Sequence, residues 1–471
     1  MTQTNFLYDE IAIGQKASIT RICTVNDLIV FAHASGNLNA MHIPELDGDG
    51  DGKPEAVAPS MWVGSLFSAV LGNVMPGVGT LYRGQDLRFH DRVGVGDEVI
   101  TTVKVIDKLG DRIVRLACRC ETRDGRLIAD GMAEVLTPER KVILPDHQIP
   151  ELLIQRHVHF ERLLKACDRV ERLTTAVVVP EEEAALGGAL LAYRRGLIQP
   201  ILVGATPKIL AVAQKIGARL DGLEIIDCAD HETAAARAVA LVHEGRVGAL
   251  MKGHLHTDTL LHHVTKRDGG LRTTRRLSHV FVMDVPGLAH PLLVTDAGIN
   301  IAPDLDAKVD IVQNAIDMAR AMGIDVPKVG VLSAVETVNS KIPSTIDAAV
   351  LSKMAERGQI KGGIVDGPLA MDNAIDLNAA KTKGIKSMVA GQAQVLVAPN
   401  LEAGNMVAKE LSFLAHAESA GLVLGARVPV MLTSRADDEK ARLISCALAQ
   451  LFDAWKANGK SPVLDLPAEA A

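Results

Sequence analysis

Two hydrophobic patterns divide the chain. Between residues 99 and 136 apolar side chains alternate with polar ones, and from Val114 to Cys120 they alternate with Arg115 and Arg119. A period of two predicts strands of an antiparallel sheet with one face in water. The Asp-Gly turn at residues 124–125 predicts that the last two of three such strands form a hairpin.

An uncharged stretch precedes these strands. Residues 56–82 contain no Asp, Glu, Lys or Arg, and on length alone such a segment could span a bilayer. Pro59, Gly64 and Gly72 make it a poor membrane helix, so we predict a buried helix followed by a loop. The first 140 residues therefore predict an α+β domain.

The pattern changes after the polar stretch "TPERKVILPDHQIPE". Short apolar runs now alternate with helical segments, which predicts parallel strands buried on both faces. "HVFVMDV" and "PLLVTDAG" are joined by a loop too short for a helical crossover, so one antiparallel hairpin is expected. We predict two α/β lobes with mostly parallel sheets and a cleft between them. The expected divisions are residues 1–140, a linker at 141–155, and residues 156–471. The other predicted strands are "TAVVVP", "PILVG", "LEIID", "VGALMKG", "KVGVLSA", "KGGIVDG", "AQVLVAP" and "PVMLT".

Composition narrows the class of protein. The 471 residues are 48% hydrophobic but only 3% aromatic, and the net charge is −7. This balance predicts a globular chain that binds neither nucleic acid nor membrane, although a local phosphate pocket is compatible with it. The six cysteines are scattered and the amino terminus lacks a signal-peptide pattern, so a reduced, cytoplasmic protein is expected.

An acidic loop resembles half of a calcium-binding loop. Asp47, Asp49 and Asp51 alternate with glycines, but the twelfth position is Ala58 instead of the bidentate Glu. A surface loop is favoured, and no metal site is expected.

Two segments of the carboxyl half have polar groups where strands end. In "MKGHLHTDTLL", Lys252 offers a cation, Gly253 permits close backbone approach, and Thr257 lies where a helix that attracts phosphate begins. "VDGPLAMDNAID" places Asp366 and Asp372, with Asn373 beside them, around a Gly-Pro turn at the edge where ligands bind in open α/β sheets.

A third segment is "VPVMLTSRADDEKARLISCALAQLFDAW". A strand ends at Thr433, Ser434 and Arg435 follow in the loop, and Asp437 or Asp438 begins a helix. The two Asp residues either cap that helix or take part in a site, and spacing alone does not decide between these interpretations.

Residues from about 156 to 460 resemble the phosphate acetyltransferase and phosphate butyryltransferase family. The motifs agree in order, and the form "DGPLAMDNA" is closer to the butyryl branch. They are "QPILVG", "LMKGHLHTDTLL", "RRLSHVFVM", "VTDAGINIAPDL", "VDGPLAMDNAI", "APNLEAGNM" and "PVMLTSRAD". The resemblance implies two α/β lobes that move an acyl group between CoA and phosphate, with CoA as substrate and no tightly bound cofactor or metal.

The same resemblance implies roles for single residues. An Asp accepts the thiol proton of CoA, Ser434 and Arg435 stabilise developing charge, and Arg276 is a phosphate clamp. In the acetyl branch the carboxylate lies seven residues after the motif Ser, where this chain has Ala441. The base is then Asp437 or Asp438.

Residues 10 to 137 resemble the MaoC-like (R)-specific enoyl-CoA hydratases, through "FAHASGNLNAMH", "APSMW" and "MPGVGTLYRGQDLRFHDRVGVGDEV". The resemblance implies a hot-dog fold, with thioester-binding N–H groups near Ser60 and Met61. In the family motif S-G-D-x-N-P-x-H, Asn37 replaces the Asp while His42 keeps the His. An amide cannot accept a proton at physiological pH. The domain is therefore expected to bind acyl-CoA but to hydrate enoyl-CoA weakly or not at all.

The two resemblances predict an acyl-CoA:phosphate acyltransferase with an amino-terminal hydratase-like domain. Its expected partners are CoA thioesters, phosphate and acyl phosphates, and it is expected to form a homodimer or larger assembly. One alternative is a fully bifunctional enzyme that also hydrates trans-2-enoyl-CoA. Another is that the carboxyl half is a non-catalytic effector-binding or oligomerisation module.

Overall fold

The computed structural model describes residues 3–44, 46–52, 56–144, 154, 156–432 and 439–466. The chain divides into two compact units, Met1–Leu152 and Leu153–Ala471. Within the described residues, every helix is too short or too polar to cross a lipid bilayer.

The amino-terminal unit is an antiparallel sheet packed on one long helix. Its five-stranded sheet has the order β2-β4-β5-β6-β3, and β1 pairs with β7 in a separate ribbon. The strands are β1 (Gln3–Thr4), β2 (Lys16–Ile22), β3 (Leu81–Phe89), β4 (Glu98–Gly110), β5 (Ile113–Thr122), β6 (Leu127–Leu136) and β7 (Ile143–Leu144). The helices are α1 (Val25–Ser35) and α2 (Ser60–Asn73).

Alternation along β5 produces the core of this unit. Val114 and Leu116 are fully buried, whereas Arg115 and Arg119 lie on the other face, where they pair with acidic side chains. From the uncharged stretch, α2 contributes Phe67, which is completely buried beneath the sheet. A sheet wrapped around a central helix is the hot-dog fold, so the predicted strands, helix and fold are confirmed.

The carboxyl-terminal unit is built on one eleven-stranded sheet, with the order β10-β9-β8-β11-β18-β17-β12-β13-β16-β14-β15. The strands are β8 (Leu173–Val178), β9 (Ile198–Gly204), β10 (Glu224–Asp227), β11 (Ala249–Lys252), β12 (Ser278–Asp284), β13 (Leu292–Thr295), β14 (Lys328–Leu332), β15 (Ile364–Leu369), β16 (Val395–Val397), β17 (Glu418–Leu424) and β18 (Val430–Met431). The helices are α3 (Val158–Cys167), α4 (Glu183–Arg194), α5 (Thr206–Lys215), α6 (His231–His243), α7 (Thr257–Thr265), α8 (Leu305–Ala321), α9 (Pro343–Glu356), α10 (Met371–Ile375), α11 (Leu377–Thr382), α12 (Leu401–Phe413) and α13 (Glu439–Asn458).

Parallel strands form both ends of this sheet, as predicted. At one end β10, β9, β8, β11 and β18 are parallel, and at the other β13, β16, β14 and β15 are parallel. Antiparallel pairs join the two groups through β17 and the expected β12–β13 hairpin. The two predicted lobes are therefore halves of one continuous sheet.

The two faces of the sheet are packed differently. Alternate strand residues point to opposite faces. On one face a single hydrophobic core extends from β9 to β15 beneath α3, α4, α8, α9 and α13. On the other face there are two cores, one beneath α6 and α7 and one beneath α10, α11 and α12. The split opens a cleft on one face while the other face holds the halves together.

Helix α13 is central to the shared core, and this generates a stability prediction. Leu448 is completely buried there, so Leu448→Ala is expected to lower the free energy of unfolding by about 2–5 kcal/mol. Urea denaturation followed by circular dichroism measures this change. Phe413→Ala, which truncates a side chain that is 77% exposed, is the control and is expected to change it by less than about 0.5 kcal/mol. An equal loss of unfolding free energy in both variants would contradict the placement of Leu448 in the shared core.

Candidate active site

A cleft of about 470 Å³ lies between the two cores on the split face of the sheet. Two walls form it, one from the ends of β11 and β18 with the start of α7, and one from β12, the loop after β13, and α12. Its lining residues are Lys252, Leu255, His256, Thr257, His279, Phe281, Ala297, Gly298, Asn405 and Leu432.

The first wall combines a buried cation with a helix start. Lys252 ends β11 and is only 6% exposed, and its Nζ donates to the carbonyl oxygen of Gly253 at 3.2 Å. Helix α7 starts at Thr257, and the side chain of its N-cap residue, His256, makes no capping hydrogen bond. An ammonium group beside the first-turn N–H groups of a helix is suited to a small anion.

Close packing against a neighbouring strand requires glycine at position 253. A Cβ atom there would lie 2.3 Å from the carbonyl oxygen of Val179, and the Gly253 N–H donates to the carbonyl of Val178 at 2.8 Å. The close backbone approach expected from the sequence is thus made to the end of β8, and it places Lys252 and the following turn against that strand.

A carboxylate organises the loop that forms part of the second wall. Asp296 follows β13, and its oxygens accept N–H groups from Gly298 at 2.9 Å, Ile299 at 3.1 Å and Asn300 at 3.0 Å. Asp296 is almost fully buried, so these bonds satisfy its charge and fix the loop shape. Ala297 and Gly298 consequently present backbone to the cleft.

Arg276 lies outside the cleft lining but is bonded to this loop. Its Nε donates to Asn300 Oδ1 at 2.6 Å, and Asn300 Nδ2 donates to Asp296 Oδ2 at 2.5 Å. The exposed guanidinium therefore lies at the outer end of a chain of hydrogen bonds that leads to the loop beside the cleft.

Sequence reasoning missed His279, which lies on the second wall beside Phe281. The two rings meet edge to face with their centroids 4.3 Å apart. Burial lowers the pKa of His279 to about 4, and the nearby Asp296 charge opposes this shift only in part. The imidazole is therefore neutral near pH 7. A histidine within the apolar run "LSHVFVM" was the available signal.

Three other predicted residues lie at the far edge of the sheet. Asp366 is on β15, four strands from β12, and its Oδ1 accepts the Gly367 N–H at 2.8 Å. Asp372 pairs with Lys383 at 3.1 Å, and Asn373 is completely buried with both amide atoms unpaired among the described residues. The structure does not bring these three to the cleft with Lys252 and Thr257.

The predicted residues Ser434, Arg435, Asp437 and Asp438 lie outside the described residues. Leu432, which lines the cleft, is the last described residue before them, and α13 is the next described element after them.

The amino-terminal unit places His42 beside the start of α2. Its Nδ1 lies 2.8 Å from the carbonyl oxygen of Val57, three residues before Ser60 begins the helix. Because a carbonyl only accepts, Nδ1 carries the proton and Nε2 is left as an acceptor. Ser60 and Met61 are exposed in the first turn, and the N-cap residue of this helix, Pro59, makes no side-chain capping bond. Asn37 is partly buried, and its Oδ1 accepts the N–H of Asn39 at 3.2 Å.

The acidic loop brings three carboxylates together. Asp47, Asp49 and Asp51 have oxygens within 4.8 Å of one another, and all three residues are exposed. Backbone N–H groups of Gly52 and Gly50 donate to Asp47 and lower the pKa of its carboxyl group.

Comparisons with known proteins agree with the geometry of the cleft, which suits a small anion together with an apolar group. Residues 231–450 match the family described as phosphate acetyl/butaryl transferase. A phosphate acetyltransferase from Rhizobium meliloti is 59% identical over 295 residues, which is 63% of this chain and 93% of that protein. The chain belongs to the phosphate acetyl/butyryl transferase family.

Two solved structures align with the two units. A branched-chain phosphotransacylase from Enterococcus faecalis is 30% identical, covers 59% of this chain and 98% of its own, and has a TM-score of 0.52. An unliganded R-hydratase from Pseudomonas aeruginosa is 35% identical and covers 33% of this chain and 100% of its own, with a TM-score of 0.32. The predicted resemblance of the carboxyl unit is thereby confirmed.

The loop around Asp296 generates a prediction. Asp296→Asn replaces one acceptor oxygen by a donor that faces backbone N–H groups, so we expect the free energy of unfolding to fall by about 1–3 kcal/mol. Amide hydrogen exchange at residues 298–300 is expected to accelerate. Asp306→Asn, an exposed change in the first turn of α8, is the matched control. Unchanged exchange at residues 298–300 would show that the carboxylate does not hold the loop.

Proposed function

We propose that the carboxyl-terminal unit transfers a short acyl group between CoA and inorganic phosphate. The observation that carries this proposal is the cleft between the two cores, where Lys252 and the uncapped start of α7 face an apolar wall that includes Phe281. Membership of the phosphate acetyl/butyryl transferase family supports the same reaction class.

The first wall holds the phosphoryl group in this proposal. Lys252 supplies a positive charge, and the backbone N–H groups from Thr257 onward supply aligned donors. Arg276 clamps the phosphate from the side, oriented by its bond to Asn300. Substrate contacts by Gly253, Asp366, Asp372 and Asn373 stay predictions from the sequence.

The residues after Leu432 carry the chemistry in this proposal. A thiol attacks as thiolate, so a carboxylate of Asp437 or Asp438 accepts the proton of CoA. Ser434 and Arg435 donate to the oxygens on which negative charge develops. Ser434 is only two residues beyond Leu432, which lines the cleft. CoA is then a substrate, no bound cofactor is needed, and the enzyme works as a homo-oligomer.

The amino-terminal unit, in our proposal, binds acyl-CoA and has weak or no hydratase activity. The first-turn N–H groups at Ser60 and Met61 would hold a thioester oxygen, and His42 Nε2 would be the one proton acceptor. Hydration needs a water deprotonated on one side and a proton returned to the alkene. Asn37 can orient the water but cannot exchange a proton with it.

A second candidate function follows from His42. Its bond to Val57 leaves Nε2 as an acceptor in the orientation a general base requires, which favours residual hydration of trans-2-enoyl-CoA to the (3R)-3-hydroxyacyl product. The chain would then be bifunctional.

Acyl transfer is tested with the full chain. Acetyl phosphate or butyryl phosphate is mixed with CoA, and thioester formation is followed by absorbance. Ser434→Ala is expected to lower kcat by about 10²–10³-fold because it removes a donor to developing charge, and Arg435→Ala is expected to act in the same direction.

Two distant variants are controls for these substitutions. Ser412→Ala on α12 and Arg219→Ala, whose side chain is 90% exposed, are expected to leave kcat unchanged. Inactive wild-type protein would refute the transferase proposal, whereas active protein with unaffected Ser434 and Arg435 variants would refute only the site assignment.

The proposal that hydratase activity is weak is tested by restoring the carboxylic acid at position 37. Asn37→Asp is expected to raise crotonyl-CoA hydration by about 10²–10⁴-fold, since it restores a group that exchanges protons. Asn39→Asp adds the same charge two residues away and is expected to have no effect. The double variant Asn37→Asp, His42→Ala is expected to lose the gain. Fast hydration by the unmodified chain would instead support the bifunctional enzyme.

A further inference from the structure

His279 is a buried imidazole on the second wall of the cleft, and its Nδ1 atom is itself buried. Its side chain alternates with those of Ser278 and Val280, which lie on the opposite face of the sheet, so it points to the split face with Phe281. The residue is only 5% exposed, and among the described residues its Nδ1 has no hydrogen-bond partner. Buried polar atoms in native proteins usually have a partner, so an unpaired one beside a cleft needs an explanation.

Two glycines hold the ring in place. A Cβ atom on Gly421 would lie 2.7 Å from His279 Cε1 and 2.8 Å from Nε2. A Cβ atom on Gly298 would lie 3.1 Å from the Cβ and 3.6 Å from the Nδ1 of His279. The ring therefore fills the space between β17 and the loop after β13. Its Nδ1 edge is on the side of Gly298, which itself lines the cleft.

The surroundings of His279 indicate what kind of group would bind there. Phe281 packs against the ring on the same wall, and Leu255 and Leu432 add apolar surface to the wall opposite. The cation and the helix start that suit phosphate belong to the other wall. A neutral donor within an apolar wall matches a neutral carbonyl better than a phosphate dianion.

We propose that His279 is a catalytic residue that donates a hydrogen bond from its imidazole to the carbonyl oxygen of the acyl group during transfer. This inference rests on the proposed acyltransferase function. The thiolate of CoA attacks the carbonyl carbon of the acyl phosphate, and the new C–S bond places an electron pair on the carbonyl oxygen. The bond between the carbonyl carbon and the bridging oxygen then breaks, and phosphate leaves with that oxygen and the electron pair of the bond as the carbonyl reforms.

His279 loses no proton in this sequence, because the thiol proton passes to the carboxylate base. Its hydrogen bond strengthens as the carbonyl oxygen becomes negative, so the transition state gains more than the bound substrate. Burial keeps the imidazole neutral near pH 7, so the ring carries a single N–H, and the proposal places that proton on Nδ1. In the reverse direction the same bond stabilises the attack of phosphate on the thioester.

The experiment compares His279→Leu with His279→Asn in the full chain. Leu has a similar size but no donor, whereas the amide of Asn can place an N–H where Nδ1 lies. We expect His279→Leu to lower kcat for acetyl phosphate and CoA by about 10²-fold, with the Kd for inorganic phosphate unchanged. His279→Asn is expected to recover at least about 10-fold of that loss. Thermal unfolding of both variants controls for misfolding.

Histidine nitrogen NMR of the wild-type protein provides a second measurement. The Nδ1 resonance of His279 is expected to shift when acetyl-CoA is added and to stay unchanged with inorganic phosphate alone. A phosphate-induced shift, or a weaker phosphate Kd in His279→Leu, would assign the residue to the anion and overturn the proposal. An unchanged kcat in His279→Leu would also overturn it. Inactive wild-type protein would instead refute the acyltransferase function.

Discussion

The backbone pairing of β12 with β17 is the contact on which the catalytic half of this protein depends. Seven residue pairs join the two strands, from Ser278 opposite Leu424 to Asp284 opposite Glu418. This ladder connects two groups of parallel strands that would otherwise be separate sheets. Because its hydrogen bonds are between main-chain groups, the cleft above it has a floor whose position does not depend on any single side chain. Helix α13 and the shared core support that floor from the opposite face.

The arrangement explains why opposite walls of the cleft have different chemistry. One wall is formed where β11 and β18 end and α7 begins, so it presents Lys252 and the main-chain N–H groups of the first helical turn. The other wall is the side of a strand, so it presents side chains, of which His279 and Phe281 reach the cleft. The ends of strands and the start of the helix supply charge and N–H donors, whereas the face of a strand supplies side-chain surface. An acyl phosphate, which is anionic at one end and apolar at the other, matches both walls.

Much of the fold was predictable because hydrophobic period is a local signal. The alternation in β5, the buried α2 and the β12–β13 hairpin are all visible in short stretches of sequence. Strand β17 was missed, since "ESAGLVL" begins with polar and small residues. The two predicted lobes became one sheet because strand pairing across long separations leaves no local trace.

The site was predictable only where one segment supplies its own context. Lys252 ends a strand and Thr257 opens the next helix, and the structure places both at the cleft. The position of His279 at the cleft could not be predicted from its own segment, because it depends on the loop after β13 and on β17. The sequence distance between these segments hides their contact, as it hides the position of Asp366 at the opposite edge.

The glycines around His279 carry an evolutionary consequence. Neither Gly298 nor Gly421 has a left-handed backbone, so main-chain conformation does not require glycine at either position. A Cβ atom on Gly421 would lie 2.7 Å from the imidazole and 3.0 Å from the carbonyl oxygen of Val280, and a Cβ atom on Gly298 would lie 3.1 Å from the Cβ of His279. In homologues where a smaller side chain replaces this histidine, position 421 should lose its closest contact and keep only the one with the Val280 carbonyl oxygen. Positions 279 and 421 should therefore covary in a family alignment, whereas position 298 should follow them less, because its nearest contact is a Cβ atom that almost every replacement keeps.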